Sequence, residues 1–196
     1  MKNFKFLTAA IALSMLTFIS CSKDEPGGSS PDNPVTDKLF SIKSATITYD
    51  FVGTLTLYFD NYGAQVCVEN TFDMQYVSDE RYIWDSSTNK GYHLYTTDKT
   101  YQEVTKAEVM DKLQMFFFDE QSIAASGFAK TTETIAGKSC TIYTGQSMGS
   151  TVSMGGWSGI YFLMIVDGSD LLRARTFSDA VSADIFKVPA DFTPLN

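Results

Sequence analysis

Thr54-Leu55-Thr56-Leu57-Tyr58-Phe59-Asp60-Asn61-Tyr62-Gly63-Ala64-Gln65-Val66-Cys67-Val68-Glu69 decides the fold. Leu55, Leu57 and Phe59 alternate with Thr54, Thr56 and Tyr58, and period two is the signature of a half-buried strand. Asp60-Asn61-Tyr62-Gly63 then supplies residues that tolerate left-handed backbone angles, so the chain turns and Ala64 to Glu69 returns as a partner strand. Immediately upstream, Ser44-Ala45-Thr46-Ile47-Thr48-Tyr49 alternates in the same way.

The same grammar recurs downstream. Arg81–Asp85 and Tyr92–Thr96 flank the turn-forming cluster Ser86-Ser87-Thr88-Asn89-Lys90-Gly91, and Ile160–Val166 and Leu171–Phe177 flank Asp167-Gly168-Ser169-Asp170. Short connections of this kind join antiparallel neighbours. Between these hairpins the period changes. Thr105 with Glu108 three residues on forms a capping box, and Val109, Leu113 and Phe116, widened by Met110 and Phe117, follow helical spacing to about Asp119. A single amphipathic helix must bury its stripe, and a sheet face is the available surface. The prediction is an α+β domain: a mainly antiparallel, curved sheet with one mid-chain helix packed on it. A second short helix is expected near Ser178–Ala183, and Gly145 to Gly159 reads as a Gly/Ser-rich loop.

The ends of the chain set its cellular context. Lys2 and Lys5 precede an uncharged, largely apolar run from Phe6 to Ser20, the pattern of a secretory signal. It is short for a membrane span, which needs about 20 apolar residues. Phe18-Ile19-Ser20-Cys21 resembles the bacterial lipobox, with Phe18 standing where leucine is usual. The resemblance implies cleavage before Cys21, lipid attachment there, and a firm membrane anchor, since two or more acyl chains hold a protein stably. Ser22-Lys23-Asp24-Glu25 looks like the surface-export signal of Bacteroidetes lipoproteins, which implies display on the outer membrane's external face, with the periplasmic face as alternative.

Residues 21–38 hold the lipidated cysteine and a segment with three of the five prolines and almost no apolar side chains. Such composition cannot offset the entropy of ordering, so it reads as a tether. At about 3.3 Å per residue it reaches roughly 55 Å. Residues 39–196 then form one β-rich domain of ordinary size. The formal charge is −8; cleavage removes two lysines and no acid, deepening it to −10. Phosphate backbones require clustered Lys and Arg, so nucleic acid is not an expected partner. An exported compartment permits a disulfide between Cys67 and Cys140, and buried free thiols are the other possibility.

Three short stretches, Tyr58-Phe59-Asp60-Asn61-Tyr62-Gly63, Ile135-Ala136-Gly137-Lys138-Ser139-Cys140 and Phe186-Lys187-Val188-Pro189-Ala190-Asp191-Phe192, are similar to small Bacteroidetes lipoproteins of unknown function. The order of a long meander, an inserted helix and a late hairpin resembles the lipoprotein-carrier (LolA-like) group. That resemblance spans most of 44–194 and implies a half-barrel with a face for lipid.

No catalytic constellation emerges. Gly145-Gln146-Ser147-Met148-Gly149 matches the nucleophile-elbow pattern, but a poor helix follows and the sole histidine, His93, lies upstream. Asp79-Glu80 and Asp119-Glu120 are adjacent acids, which diverge rather than face one another. There is no Cys/His spacing suited to zinc, and no cofactor or metal is expected. The aromatic content, 14% of the chain, is the remaining signal. An apolar groove lined by Leu113, Phe116 and Phe117 would bury acyl surface, and Trp84 and Trp157 could form a stacking platform for sugars. The sequence points to a non-catalytic exported lipoprotein that binds an apolar ligand or lipid, with a glycan-binding or adhesive module, or a protein partner in an outer-membrane complex, as alternatives.

Overall fold

The computed structural model describes residues 38–51, 53–72 and 79–195. The signal segment, Cys21 and nearly all of the tether lie outside them. Twelve strands form one sheet, antiparallel but for its last member: β1 (Ala45–Phe51), β2 (Gly53–Asp60), β3 (Gln65–Thr71), β4 (Glu80–Asp85), β5 (Lys90–Tyr95), β6 (Thr100–Val104), β7 (Ala129–Ile135), β8 (Lys138–Ser147), β9 (Ser150–Trp157), β10 (Ile160–Val166), β11 (Ser169–Ser178) and β12 (Thr193–Pro194). Their order is β12-β6-β5-β4-β3-β2-β1-β11-β10-β9-β8-β7. Two meanders therefore meet at a central seam, where Thr46–Asp50 of β1 pair with Ser178–Arg173 of β11. The α+β reading and its hairpins are realised.

The sheet is curved. Register shifts interrupt the ladders at Thr48/Tyr49, Tyr161/Leu163 and Met164/Ile165, and such bulges bend a strand and raise its twist. Flat, β7 and β11 would lie four spacings of about 4.8 Å apart, roughly 19 Å. Yet Arg173 Nη1 on β11 stands 3.3 Å from Glu133 Oε1 on β7. Curling brings these two strands within side-chain reach.

The segment between β6 and β7 crosses the sheet. α1 (Lys106–Leu113) starts with the expected capping box: Thr105 Oγ1 accepts from Glu108 N, and the Glu108 carboxylate accepts from Thr105 N at 2.7 Å. The helix is shorter than its sequence period suggests. It ends at Leu113, tightens into a 3-10 turn over Gln114–Phe116, and becomes extended at Phe117 (φ −82°, ψ 110°). Phe117 bridges to Ile160, Phe118 N donates to Gly159 O at 2.9 Å, and Asp119 caps α2 (Glu120–Ala125). The physical reason is the run Met115-Phe116-Phe117-Phe118. One helix face cannot bury four successive large apolar residues, whereas leaving the helix sends Phe116 and Phe118 into the core, where both are buried.

Two further expectations are corrected. Gly145–Gly159 is no loop: β8 continues to Ser147, a turn follows at Met148-Gly149, and β9 returns to Trp157. The glycines are there because aromatic and aliphatic side chains lie against the backbone. A Cβ on Gly145 would stand 2.2 Å from Phe128 Cδ1, on Gly155 2.3 Å from Ile142 Cδ1, and on Gly156 2.2 Å from Phe118 Cγ. The short helix expected near Ser178–Ala183 is absent; β11 extends to Ser178 and a 3-10 turn forms at Ala183–Phe186, capped by Ser182.

Each face of the β1–β6 half has its own core. On the helix-covered face Ile47, Leu57 and Val68 pack with Val109, Leu113 and Phe116. Phe40 stacks on Phe59 at 4.0 Å, Tyr49 meets Phe116 at 5.4 Å, and the fully buried Tyr49 hydroxyl donates to Tyr161 O at 3.0 Å. On the other face Cys67, Ile83 and Leu94 are covered by the C-terminal segment through Phe186, with Ile185, Val188 and Phe192 packed around it. That segment ends as β12, parallel to β6.

Candidate functional site

The residues expected to line an apolar groove are packed among the protein's own core side chains. Leu113 and Phe116 have no exposed surface, and Trp84 is 5% exposed. Phe117 is half-buried and packs 5.5 Å from Phe40. The apolar space between Leu113, Phe116 and the sheet is occupied by the protein's own side chains. Trp84 and Trp157 lie on β4 and β9, six places apart in the sheet order, and do not form one platform. Trp157 lines an open hollow of about 380 Å³ with Ile42, Lys43, Ser44, Lys138, Phe177 and Asp179. Its ring meets Phe177 edge-on at 5.5 Å, and Lys138 Nζ sits 4.6 Å from its centroid and 4.0 Å from that of Phe177.

A second cleft, about 400 Å³, lies between α1 and the sheet and is lined by Tyr82, His93, Gln102, Val104, Glu108, Asp111 and Lys112. Its floor follows from register. The turn Ser86–Asn89 sets Asp85 opposite Lys90, which places Tyr82 opposite His93, and His93 opposite Gln102 on β6. These three side chains form one row across three strands. Tyr82 stacks on the His93 imidazole at 4.1 Å and 14°, and Tyr95, two residues along β5, packs on it at 4.1 Å. Gln102 Nε2 donates to Tyr95 Oη at 3.3 Å.

The roof is the polar face of α1. Lys112 Nζ stands 4.7 Å above the Tyr82 ring. Asp111 accepts from Gln114 Nε2 at 3.2 Å. The hydrogen bonds from Thr105 backbone and hydroxyl hold the Glu108 carboxyl below its ordinary pKa, so it stays ionised.

His93 is 6% exposed, and its Nε2 is buried with no hydrogen-bond partner among the described residues. Glu80 Oε1 is the nearest ionic group at 3.7 Å, beyond hydrogen-bonding range. Burial pulls the imidazole pKa below its usual 6.5, opposed by Glu80 and Glu108 and assisted by Lys112. A buried polar atom without a partner costs about 1–3 kcal/mol. In the next row Asn70, opposite Glu80, carries another buried atom, Oδ1, without a partner among the described residues.

The other sequence candidates have structural roles. Asp79 accepts from Phe72 N, Asp119 caps α2, and Glu120 binds Lys130 and Tyr143. Ser147 ends β8 opposite Ser150, with a strand after it. Cys67 and Cys140 are free thiols in separate cores. No group of His, Cys, Asp and Glu among the described residues is placed to hold a metal ion, and no helix among them is long and apolar enough to cross a membrane. Sequence reading passed over Tyr82, Gln102, Asp111 and Lys112. Strand register was the signal that could have found the first two.

No family model and no curated protein matches this sequence. Among solved structures the chain is similar to the crystal structure of an uncharacterized conserved protein from Thermus thermophilus, with a TM-score of 0.47 and 8% identity over 78% of this chain and 90% of that one.

Proposed function

We propose that the chain is a non-catalytic, exported lipoprotein, anchored through Cys21 and using its domain to bind a polar ligand in the cleft beneath α1. The supporting observation is the contrast between the two spaces on the helix-covered face. The apolar one is filled by Leu113 and Phe116. The polar one is open and floored by a histidine whose buried nitrogen has no partner among the described residues. An acyl chain would gain about 0.8 kcal/mol per buried CH₂, but only by displacing packed core side chains.

The anchor is tested by growth with a labelled fatty acid. Label should enter the wild-type chain and be absent from Cys21→Ala. External protease on intact cells separates surface display from the periplasmic face. For the ligand, native mass spectrometry of residues 22–196 should show no retained fatty acid or phospholipid. A bound lipid that is lost in a folded Phe117→Asp variant would restore the apolar reading and displace this one.

A further inference from the structure

Resting on that reading of the cleft, we propose that its ligand is the neutral, hydroxyl-bearing end of a saccharide, held by hydrogen bonds rather than by ring stacking. The ladder of rings decides the mode. Tyr82 and Tyr95 both pack on His93 at 4.1 Å, and Lys112 covers Tyr82 at 4.7 Å. These faces are engaged with one another, so what remains for a ligand is ring edges and polar atoms.

The charge pattern decides the class. Glu108 and Asp111 can only accept, Lys112 can only donate, and Gln102 can do both. An anion entering here meets two carboxylates, with Glu80 behind them 3.7 Å from His93. A cation meets Lys112, already seated over the aromatic ring. A hydroxyl is donor and acceptor at once, and adjacent hydroxyls on a sugar ring can give protons to Glu108 or Asp111 while accepting from Lys112 or Gln102. His93 lines the floor with Tyr82 and Gln102, but its Nε2 is closed off beside Glu80 at 3.7 Å, so the ligand's contacts come from Gln102 and the α1 side chains. The volume, about 400 Å³, lies at the small end of ligand sites and fits a chain terminus better than an extended polymer.

The test is retention of the mature lipidated protein, in a polyoxyethylene detergent that carries no sugar, on an array of glycans with defined neutral and anionic termini. A parallel thermal-shift screen covers simple amines, carboxylates and phosphates. Gln102→Leu, Asp111→Ala and Lys112→Met each remove one polar contact at an exposed position. The expected result is binding to one group of neutral termini, reduced at least tenfold in all three variants. Binding confined to anionic glycans overturns the neutral terminus, and a thermal shift with a simple ion that depends on Asp111 or Lys112 overturns the saccharide class; either leaves the cleft standing as the site. Sugar binding indifferent to all three variants, or no retention on any terminus and no shift, overturns both.

Discussion

Gly145 and Gly156 look equivalent in sequence but should respond differently to the same added methyl. A Cβ on Gly145 would meet three atoms within 2.6 Å, all belonging to the Phe128 ring, which is only half-buried. Gly145→Ala should therefore expel that ring at a cost of about 1–1.5 kcal/mol, roughly half the value of fully burying a Phe side chain. Phe128→Ala alone should cost about the same, and the double variant little more than either single. A Cβ on Gly156 meets Phe118 at 2.2 Å but also the Ile160 carbonyl oxygen at 2.7 Å. Phe118 is buried against Tyr161 and Tyr143, and the carbonyl belongs to a paired strand. Gly156→Ala should cost about 3 kcal/mol, the upper range for overpacking, and Phe118→Ala should fail to relieve it. Equilibrium urea unfolding with a common m-value reads all these differences. A Gly145→Ala cost that persists without Phe128, or a Gly156→Ala cost that vanishes without Phe118, would refute the reasoning.

Three other outcomes are expected. Phe186→Ala should destabilise the domain by about 3 kcal/mol, because this 4%-exposed ring covers Cys67, Ile83 and Leu94; calorimetry gives the loss. Cys67 and Cys140 should resist thiol reagents until denatured, and reduction should leave the mass unchanged. Burial pushes the Cys140 thiol up to about 11, so its contribution to stability is complete below pH 9 and falls as pH rises toward 11, which urea midpoints across that range will show. His93 works in the opposite direction. Its folded pKa lies below 6.5, chiefly through burial, so its contribution is present above that value and declines as the solution is acidified below it. The decline should disappear in His93→Phe; an unchanged acid profile in that variant would assign the loss to other groups.

Much of the fold was legible because period-two stretches and turn residues act locally. Leu55, Leu57 and Phe59 announced β2, and Thr105 with Glu108 announced the start of α1. What misled was always non-local. Gly145, Gly155 and Gly156 read as loop because glycine promises backbone freedom, but they are small because Phe128, Ile142 and Phe118 approach from elsewhere in the chain. Phe117 fitted the helical stripe, yet its pairing with Ile160 draws it into extended backbone. The cleft was missed for a related reason. Tyr82, His93 and Gln102 belong to three strands and become neighbours only through register, and aromatic content alone could not separate rings that fill space from rings that border it.

The central seam has a mechanical consequence. The first strand of the domain is not at an edge: β1 is hydrogen-bonded along one side to β2 and along the other to β11. Ser44 and Thr46 hydroxyls also reach the carbonyls of Asp179 and Ala180 beyond the seam. A load entering through the N-terminal segment must first free Leu39 and Phe40 from Tyr62 and Phe59, and at β1 it must rupture two ladders together, where an edge strand would peel from one. Pulling on that end would then be carried by the middle of the sheet, with the cleft on β4–β6 at least two strands away.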